Sequence, residues 1–354
     1  MNRRGVSYDV GRVMYGNWRP IFDPTVVHRE LGIIKNDLHC NAVRICGRDV
    51  DRLMTATEDA LRQGLEVWLS PELWDRSPDE TLAYITKAAA AAEHLRTRWP
   101  DRLVLVVGGE LTLFMQGIIP GRNVAERFGS PANREFLKAG KHNAPLNAFL
   151  AKVTTAVRAA FGGPLAYASL PWEAVEWSAF DFVGVDHYRA AQIRDRYVEM
   201  LEPAFSHGKP VMIMEFGSRT YRGADTSTEG MAGDISDWRS LGLHQIPLVG
   251  RFVRPHLRGE HVRDEDLQAR EITEMLRLLD GAGVEGAFAM TFVSPIAPTD
   301  DDPRYDLDMN SYSLVKTYVN TNGTTYPDML WEPKASFRAV ADYYAGEPPS
   351  PRSR

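Results

Sequence analysis

The 354-residue chain carries 41 Lys and Arg against 47 Asp and Glu, a formal charge of −6, with 44% hydrophobic and 25% charged residues. That is the composition of a globular protein with enough apolar mass for one large core. The basic residues are scattered, with no stripe able to neutralise phosphates, so no nucleic-acid partner is expected. No apolar run approaches the roughly 20 residues that a bilayer crossing needs, so no membrane partner is expected either. Met1–Arg4 leads straight into a strand-like segment without a secretory apolar stretch, which points to the cytoplasm. Cys40 and Cys46 flank a predicted strand outside any metal-ligand spacing and are expected to be free thiols, with Cys46 the better placed to line a site.

Short β-branched runs recur along the chain, at Gly5–Tyr8, Ala42–Cys46, Glu66–Ser70 and Leu103–Val107, then at Leu165–Ala168, Phe182–Asp186, Val211–Met214 and Gly286–Phe292. Helical-period segments separate most of them. Val50, Leu53, Met54, Ala60 and Leu61 share one face before Gly64, and Leu267, Ile272, Met275, Leu276 and Leu279 share another before Gly281 and Gly283. Ser77–Trp99, Ala144–Phe161, Gln192–Ser206 and Lys334–Ala345 read as further outer helices, and Glu173–Trp177 as a short one. Alternating βα units of this number predict an α/β protein of the (β/α)8 TIM-barrel class, one domain over residues 1–345 with a Pro/Ser/Arg-rich tail at 346–354.

Three stretches exceed a minimal barrel: Leu111–Asn143, Phe216–Val262 and Val293–Pro333. Each follows a strand, so they are expected as long βα loops after strands 4, 7 and 8 on the face where barrels build their sites.

Two carboxylates stand at strand ends on that face. Glu110 follows the apolar run LVLVV and the pair Gly108-Gly109, and Glu215 closes VMIM in KPVMIMEFG. Either alone reads as a solvated strand end. Strands four and seven lie across a closed eight-stranded barrel, so together the two can face one another over its mouth. Retaining glycoside hydrolysis needs such a pair, about 5–5.5 Å apart.

KPVMIMEFG, NAVRI and DFVGVDHY resemble the seventh-, second- and sixth-strand motifs of the clan A glycosidases. The segments ELTLFMQG, TYRGA and YDLDMNSYSLVK also resemble actinobacterial proteins labelled abortive infection proteins. The clan resemblance implies that Glu110 is the acid/base and Glu215 the nucleophile of a retaining glycosidase that needs no cofactor, and the three long loops, by narrowing the mouth to a pocket, point to a small or terminal glycoside as its small-molecule substrate. It further implies that Arg44 sits beside Glu215 and that the Tyr188 hydroxyl bonds it. The chain departs from the clan pattern at Gly109, where an Asn that bonds the sugar 2-hydroxyl is usual. It departs again at Thr291-Phe292, where Trp is common. Transglycosylation, acid/base rearrangement and non-catalytic glycan sensing therefore stay open beside hydrolysis.

Substrate contacts are expected from Asp186 and His187 after the sixth strand, Tyr8 and Asp9 after the first, Trp172 after the fifth, and Phe292 after the eighth. Tyr221 and Arg222 in the long seventh loop are further candidates. Trp172 leads the loop aromatics, ahead of Trp74, Trp177 and Trp238, as a face for a sugar ring. Asp306 and Asp308 lack a metal-binding spacing, and no metal is expected.

Overall fold

The eight apolar runs become strands β1 (Arg3–Asp9), β2 (Ala42–Gly47), β3 (Glu66–Pro71), β4 (Leu103–Gly109), β5 (Leu165–Ser169), β6 (Val183–Asp186), β7 (Val211–Phe216) and β8 (Gly286–Ala289). They pair in parallel in sequence order, and β8 closes on β1. The chain is a (β/α)8 barrel, in a computed structural model that describes residues 1–14, 16–227, 234–244, 246 and 248–346. The expected tail lies outside the described residues from 347 onward.

Alternation along each strand divides the core into two. Val6, Tyr8, Val43, Ile45, Val67 and Leu69 point outward and pack with the surrounding helices in one large cluster. The opposite parity, Ala42, Trp68, Val104, Val106, Met212 and Phe288, fills the barrel interior as a separate cluster. Trp68 packs there on Phe182 and Phe288, with ring centroids 4.8 and 5.4 Å away. This plug forms the floor beneath the mouth.

The outer helices are set by their caps and apolar stripes. Asp49 accepts from the backbone amides of Asp51 and Arg52 to start Val50–Arg62, and Ser77 and Glu80 form a reciprocal capping box at the start of Pro78–Arg96. The helix Pro24–Asn36, capped by Asp23, completes the first βα unit and was not among the sequence expectations. Two expected helices take other forms. Glu173 turns its carboxylate inward to the amides of Leu170 and Thr112, leaving only the 3-10 turn Trp177–Ala179 after β5. The 192–206 segment breaks into the 3-10 turns Arg194–Arg196 and Glu199–Leu201 and the helix Glu202–Phe205, where Pro203 has no amide to donate.

The three long loops follow β4, β7 and β8 as expected. The last contains a small antiparallel pair, β9 (Val315–Thr317) and β10 (Trp331–Pro333). Its anchor is a fully buried ion pair, Lys334 Nζ to Asp308 at 2.8 Å, which Arg263 joins at 2.9 Å. Asp306 and Asp308 are thus structural partners of Arg263 and Lys334. Among the described residues no helix is long and apolar enough to cross a membrane.

Candidate active site

The register of the strands brings the two glutamates to the mouth. β6 pairs with β7 in step from Val183↔Val211 to Val185↔Ile213 and then skips to Asp186↔Glu215. Strict alternation after the interior Met212 and Met214 would turn Glu215 outward. The bulge removes one step, so Glu215 joins the inner face above Met214. A similar irregularity lies between Val106 and Gly109 on β4. Gly108 has φ +134°, open to glycine, and Glu110 takes the left-handed conformation with φ 48°. That conformation is braced from below. The Glu110 amide donates to Ala168 O at 2.8 Å, and the next amide, Leu111, donates to the Tyr167 hydroxyl, which donates to Glu173 at 3.0 Å.

Glu215 is held at both oxygens. Arg44 Nη1, from β2, donates to Oε1 at 2.8 Å, and the Tyr188 hydroxyl donates to Oε2 at 2.8 Å. A second guanidinium, that of Arg12, reaches Oε1 at 3.3 Å. Arg12 returns over the mouth because Asp9 accepts the Gly11 and Arg12 amides at 2.7 and 2.9 Å in the turn after β1. Glu72, just past β3, lies between the two cations, with its oxygens 2.8 and 3.0 Å from Arg12 nitrogens and 3.4 Å from Arg44 Nη2.

This wiring partitions charge. Arg12 and Arg44 offset Glu72 and Glu215, and among the described residues no salt bridge reaches Glu110 or Asp186. Burial alone would raise the Glu215 carboxyl, but Arg44, Arg12 and the Tyr188 hydrogen bond outweigh it and hold the group below the ordinary carboxylate range. Glu110 is pushed up to about 8 by burial and then by the negative charge of Glu215. Asp186 is raised well above its ordinary value by burial and by Glu215 and Glu110. Its Oδ1 has no hydrogen-bond partner among the described residues. The ionised Glu215 carboxylate therefore faces Glu110, which is raised to about 8 and keeps its proton at neutral pH, with the raised Asp186 carboxyl beside them.

Glu110, Asp186 and Glu215 line one cavity of about 80 Å³ whose wall includes Trp18, Trp74 and Phe114. Trp74 stacks on Phe114 with centroids 4.5 Å apart and meets Trp18 edge-on at 5.5 Å. Gly109 also lines it, and a Cβ there would stand 3.3 Å from Ala168 Cβ and 3.4 Å from Arg44 Nη2. From the eighth strand the residue at the cavity is Met290. Among the described residues no group of His, Cys, Asp and Glu is arranged to hold a metal ion.

Several expected contacts lie elsewhere. Tyr8 shares the outward parity of Val6, and its hydroxyl donates to Glu30 beneath Arg19, away from the mouth. Phe292 is fully buried against Tyr8, Trp331 and Phe337 outside the barrel. His187 stacks on Tyr197 at 4.2 Å and its Nε2 pairs with the Tyr197 carbonyl at 2.8 Å, so it braces the strand end from behind. Trp172 packs edge-on against His142 at 5.1 Å in a separate depression that shares no wall with the carboxyl cavity. Tyr221 is buried in the seventh loop against His261, and the Arg222 side chain is exposed beside it. Asp9 reaches the mouth, where its Oδ1 accepts from the turn that carries Arg12 and its Oδ2 lies 3.6 Å from Arg12 Nε. Trp177 is core, whereas Trp74 faces the cavity and Trp238 the space outside it. Both cysteines are free and buried, and burial pushes the Cys46 thiol up to about 12.

Arg12, Glu72, Trp18 and Phe114 had no place in the sequence reading. Glu72 carried a usable signal, a carboxylate directly after a strand, the same one that marks Glu110 and Glu215. Arg12 and Trp18 stand in an aperiodic loop, and Phe114 ends the single-turn helix Leu111–Phe114.

Several solved structures that share this fold are glycoside hydrolases. A GH113 β-1,4-mannanase superposes with a TM-score of 0.58 at 14% identity, over 98% of this chain and 99% of the mannanase. The GH113 β-mannanase from Alicyclobacillus acidocaldarius, in complex with ManMIm, gives 0.58 at 15% identity over 97% of each chain. A β-glucuronidase from Ruminococcus gnavus gives 0.53 at 13% identity, over 97% of this chain and 50% of that one. At such identities the likeness is one of fold. No protein-family model and no curated protein sequence matches the chain.

Proposed function

We propose that the protein is a retaining glycoside hydrolase acting on a small or terminal glycoside, with Glu215 as nucleophile and Glu110 as general acid and base. The observation that carries the reading is the charge partition across one cavity. Glu215 is held ionised by Arg44, Arg12 and Tyr188, while burial and the Glu215 charge keep the proton on Glu110. A sensor that merely binds a glycan has no use for two carboxyls poised in opposite protonation states.

In the first step Glu215 attacks the anomeric carbon as the bond to the aglycone oxygen breaks, and Glu110 gives that oxygen its proton. The glycosyl ester on Glu215 then meets water. Glu110, now ionised, takes a proton from the water as its oxygen bonds the anomeric carbon, and Glu215 leaves as a carboxylate. No cofactor enters either step. Asp186, with an unpartnered oxygen at the cavity, supplies a hydrogen bond to a sugar hydroxyl, and Trp74 supplies an aromatic face.

The test is chemical rescue. Glu215→Gly should be inactive toward aryl glycosides with good leaving groups and regain turnover when azide is supplied, yielding a glycosyl azide. Near-normal activity of the variant, or no rescue across a panel of sugars that the wild type cleaves, would overturn the assignment.

A further inference from the structure

The carboxyl cavity adjoins a second, larger cavity of about 290 Å³, and the two share Trp18, Phe114 and Met290 as common walls. Its outer walls come from the long loops: Leu241 after β7, Val293 and Ile296 after β8, and Met14 after β1. Met14, Leu241 and Ile296 are half-buried. Several polar side chains at this cavity are occupied with neighbouring groups, Thr291 with the Ser7 carbonyl and Ser311 with Asp308 among them. Asn310 Nδ2 donates to Asp234 and to the Ser236 hydroxyl, each at 2.8 Å, and the Arg219 guanidinium lies 5.0 Å over the Tyr312 ring. Most of what faces the space is hydrocarbon and aromatic surface, unlike the hydroxyl-matching lining that further sugar units would need.

The apolar character continues outward. The helix Trp238–His244, which gives Trp238 and Leu241 to the cavity, runs on into a segment where Ile246, Leu248, Val249 and Phe252 are 45%, 72%, 40% and 82% exposed. His244 Nδ1 pairs with the Val253 carbonyl at 2.8 Å and folds this segment back against the helix end. These exposed apolar side chains follow directly in sequence on the helix that walls the cavity.

We propose that the outer cavity is the aglycone site and that the substrate is an amphiphilic glycoside, a sugar carried on a long apolar chain. The inference rests on the glycosidase reading for the word aglycone, since Glu110 would protonate the oxygen that joins sugar to chain. The sugar occupies the carboxyl cavity, and the chain lies against Met290, Phe114 and Ile296.

The experiment compares methyl, butyl, octyl and dodecyl glycosides of whichever sugar the enzyme cleaves, with a parallel titration of the apolar probe 1-naphthol by tryptophan fluorescence. Each methylene buried should raise kcat/KM about fourfold (~0.8 kcal/mol) until the cavity is filled. Ile296→Asp should reduce the octyl-to-methyl ratio of kcat/KM at least tenfold and weaken 1-naphthol binding. Turnover that is indifferent to chain length, with 1-naphthol binding unchanged in Ile296→Asp, would overturn this inference and leave the glycosidase standing. Binding of 1-naphthol that depends on Ile296, with no glycoside cleaved at all, would overturn the glycosidase reading and with it the aglycone.

Discussion

Arg44 reaches from the second strand to Oε1 of Glu215 at 2.8 Å, and nearly everything proposed for the site follows from that contact. The same guanidinium holds the Met214 carbonyl at 3.1 Å, so it fixes the β7 bulge as well as the carboxylate the bulge presents. Arg44→Ala would strand Glu215 and Glu72 with one cation between them. Removing one partner of a buried pair costs about 3–5 kcal/mol. The expected result is a large loss of stability in urea unfolding together with loss of activity, whereas Arg44→Lys should fold but turn over more slowly, since an ammonium cannot span both contacts.

Tyr188 bonds the other oxygen, so its effect separates from that of Arg44. Tyr188→Phe removes one hydrogen bond to a charged group, worth about 1.5–3 kcal/mol. A roughly 10- to 100-fold fall in kcat/KM is expected, with the acidic limb of the pH profile moving upward because the bond favours the ionised form of Glu215. Unchanged kinetics would remove Tyr188 from the site.

The pH dependence of kcat/KM should be bell-shaped. Glu215 must be ionised, so the rate rises as pH climbs through a value below the ordinary carboxylate range. Glu110 must carry its proton, so the rate falls as pH rises through about 8. The same raised value affects stability. Folding strength contributed by protonated Glu110 is present below the ordinary carboxylate pKa and is lost as pH rises through about 8. Glu110→Gln should therefore be more stable than the wild type at pH 9, by on the order of 2 kcal/mol, and the margin should shrink toward pH 5.

Gly109 precedes Glu110 at the cavity wall, and space there is tight for any side chain. A Cβ would press on Ala168 at 3.3 Å and on Arg44 Nη2 at 3.4 Å. Gly109→Ala and Gly109→Asn should each cost about 1–3 kcal/mol of stability and lower activity by displacing Arg44. Gain of activity in Gly109→Asn would show that the vacant position is merely an unfilled sugar contact.

Lys334 and Asp308 anchor the loop that walls the outer cavity. Asp308→Ala leaves a fully buried ammonium and is expected to cost about 3–5 kcal/mol in urea unfolding, partly recovered in Asp308→Leu combined with Lys334→Met.

The barrel was legible because the apolar strands and helical stripes alternate with different periods, and Glu110 and Glu215 because each closes an apolar run. Arg44 and Tyr188 came from motif likeness and were found where that likeness implied. Face errors arose where parity was not followed strictly. Tyr8 and Asp9 are neighbours on one strand, so only one could point inward, and it is Asp9. Trp172 and Phe292 were placed at the mouth by chain position alone, but the chain turns each toward a neighbouring packing surface. The β7 bulge and the return of Arg12 depend on tertiary contacts that leave no periodic trace.

The central claim is that Glu215 forms a covalent bond to the sugar. A panel of 2-deoxy-2-fluoro glycosides with activated leaving groups traps such an intermediate, and peptide mapping by mass spectrometry locates it. The label is expected on the peptide containing Glu215, with Glu110→Gln labelled at the same residue. A label on Glu110 or Glu72, or steady turnover of these compounds with inverted product and no adduct, would contradict the account.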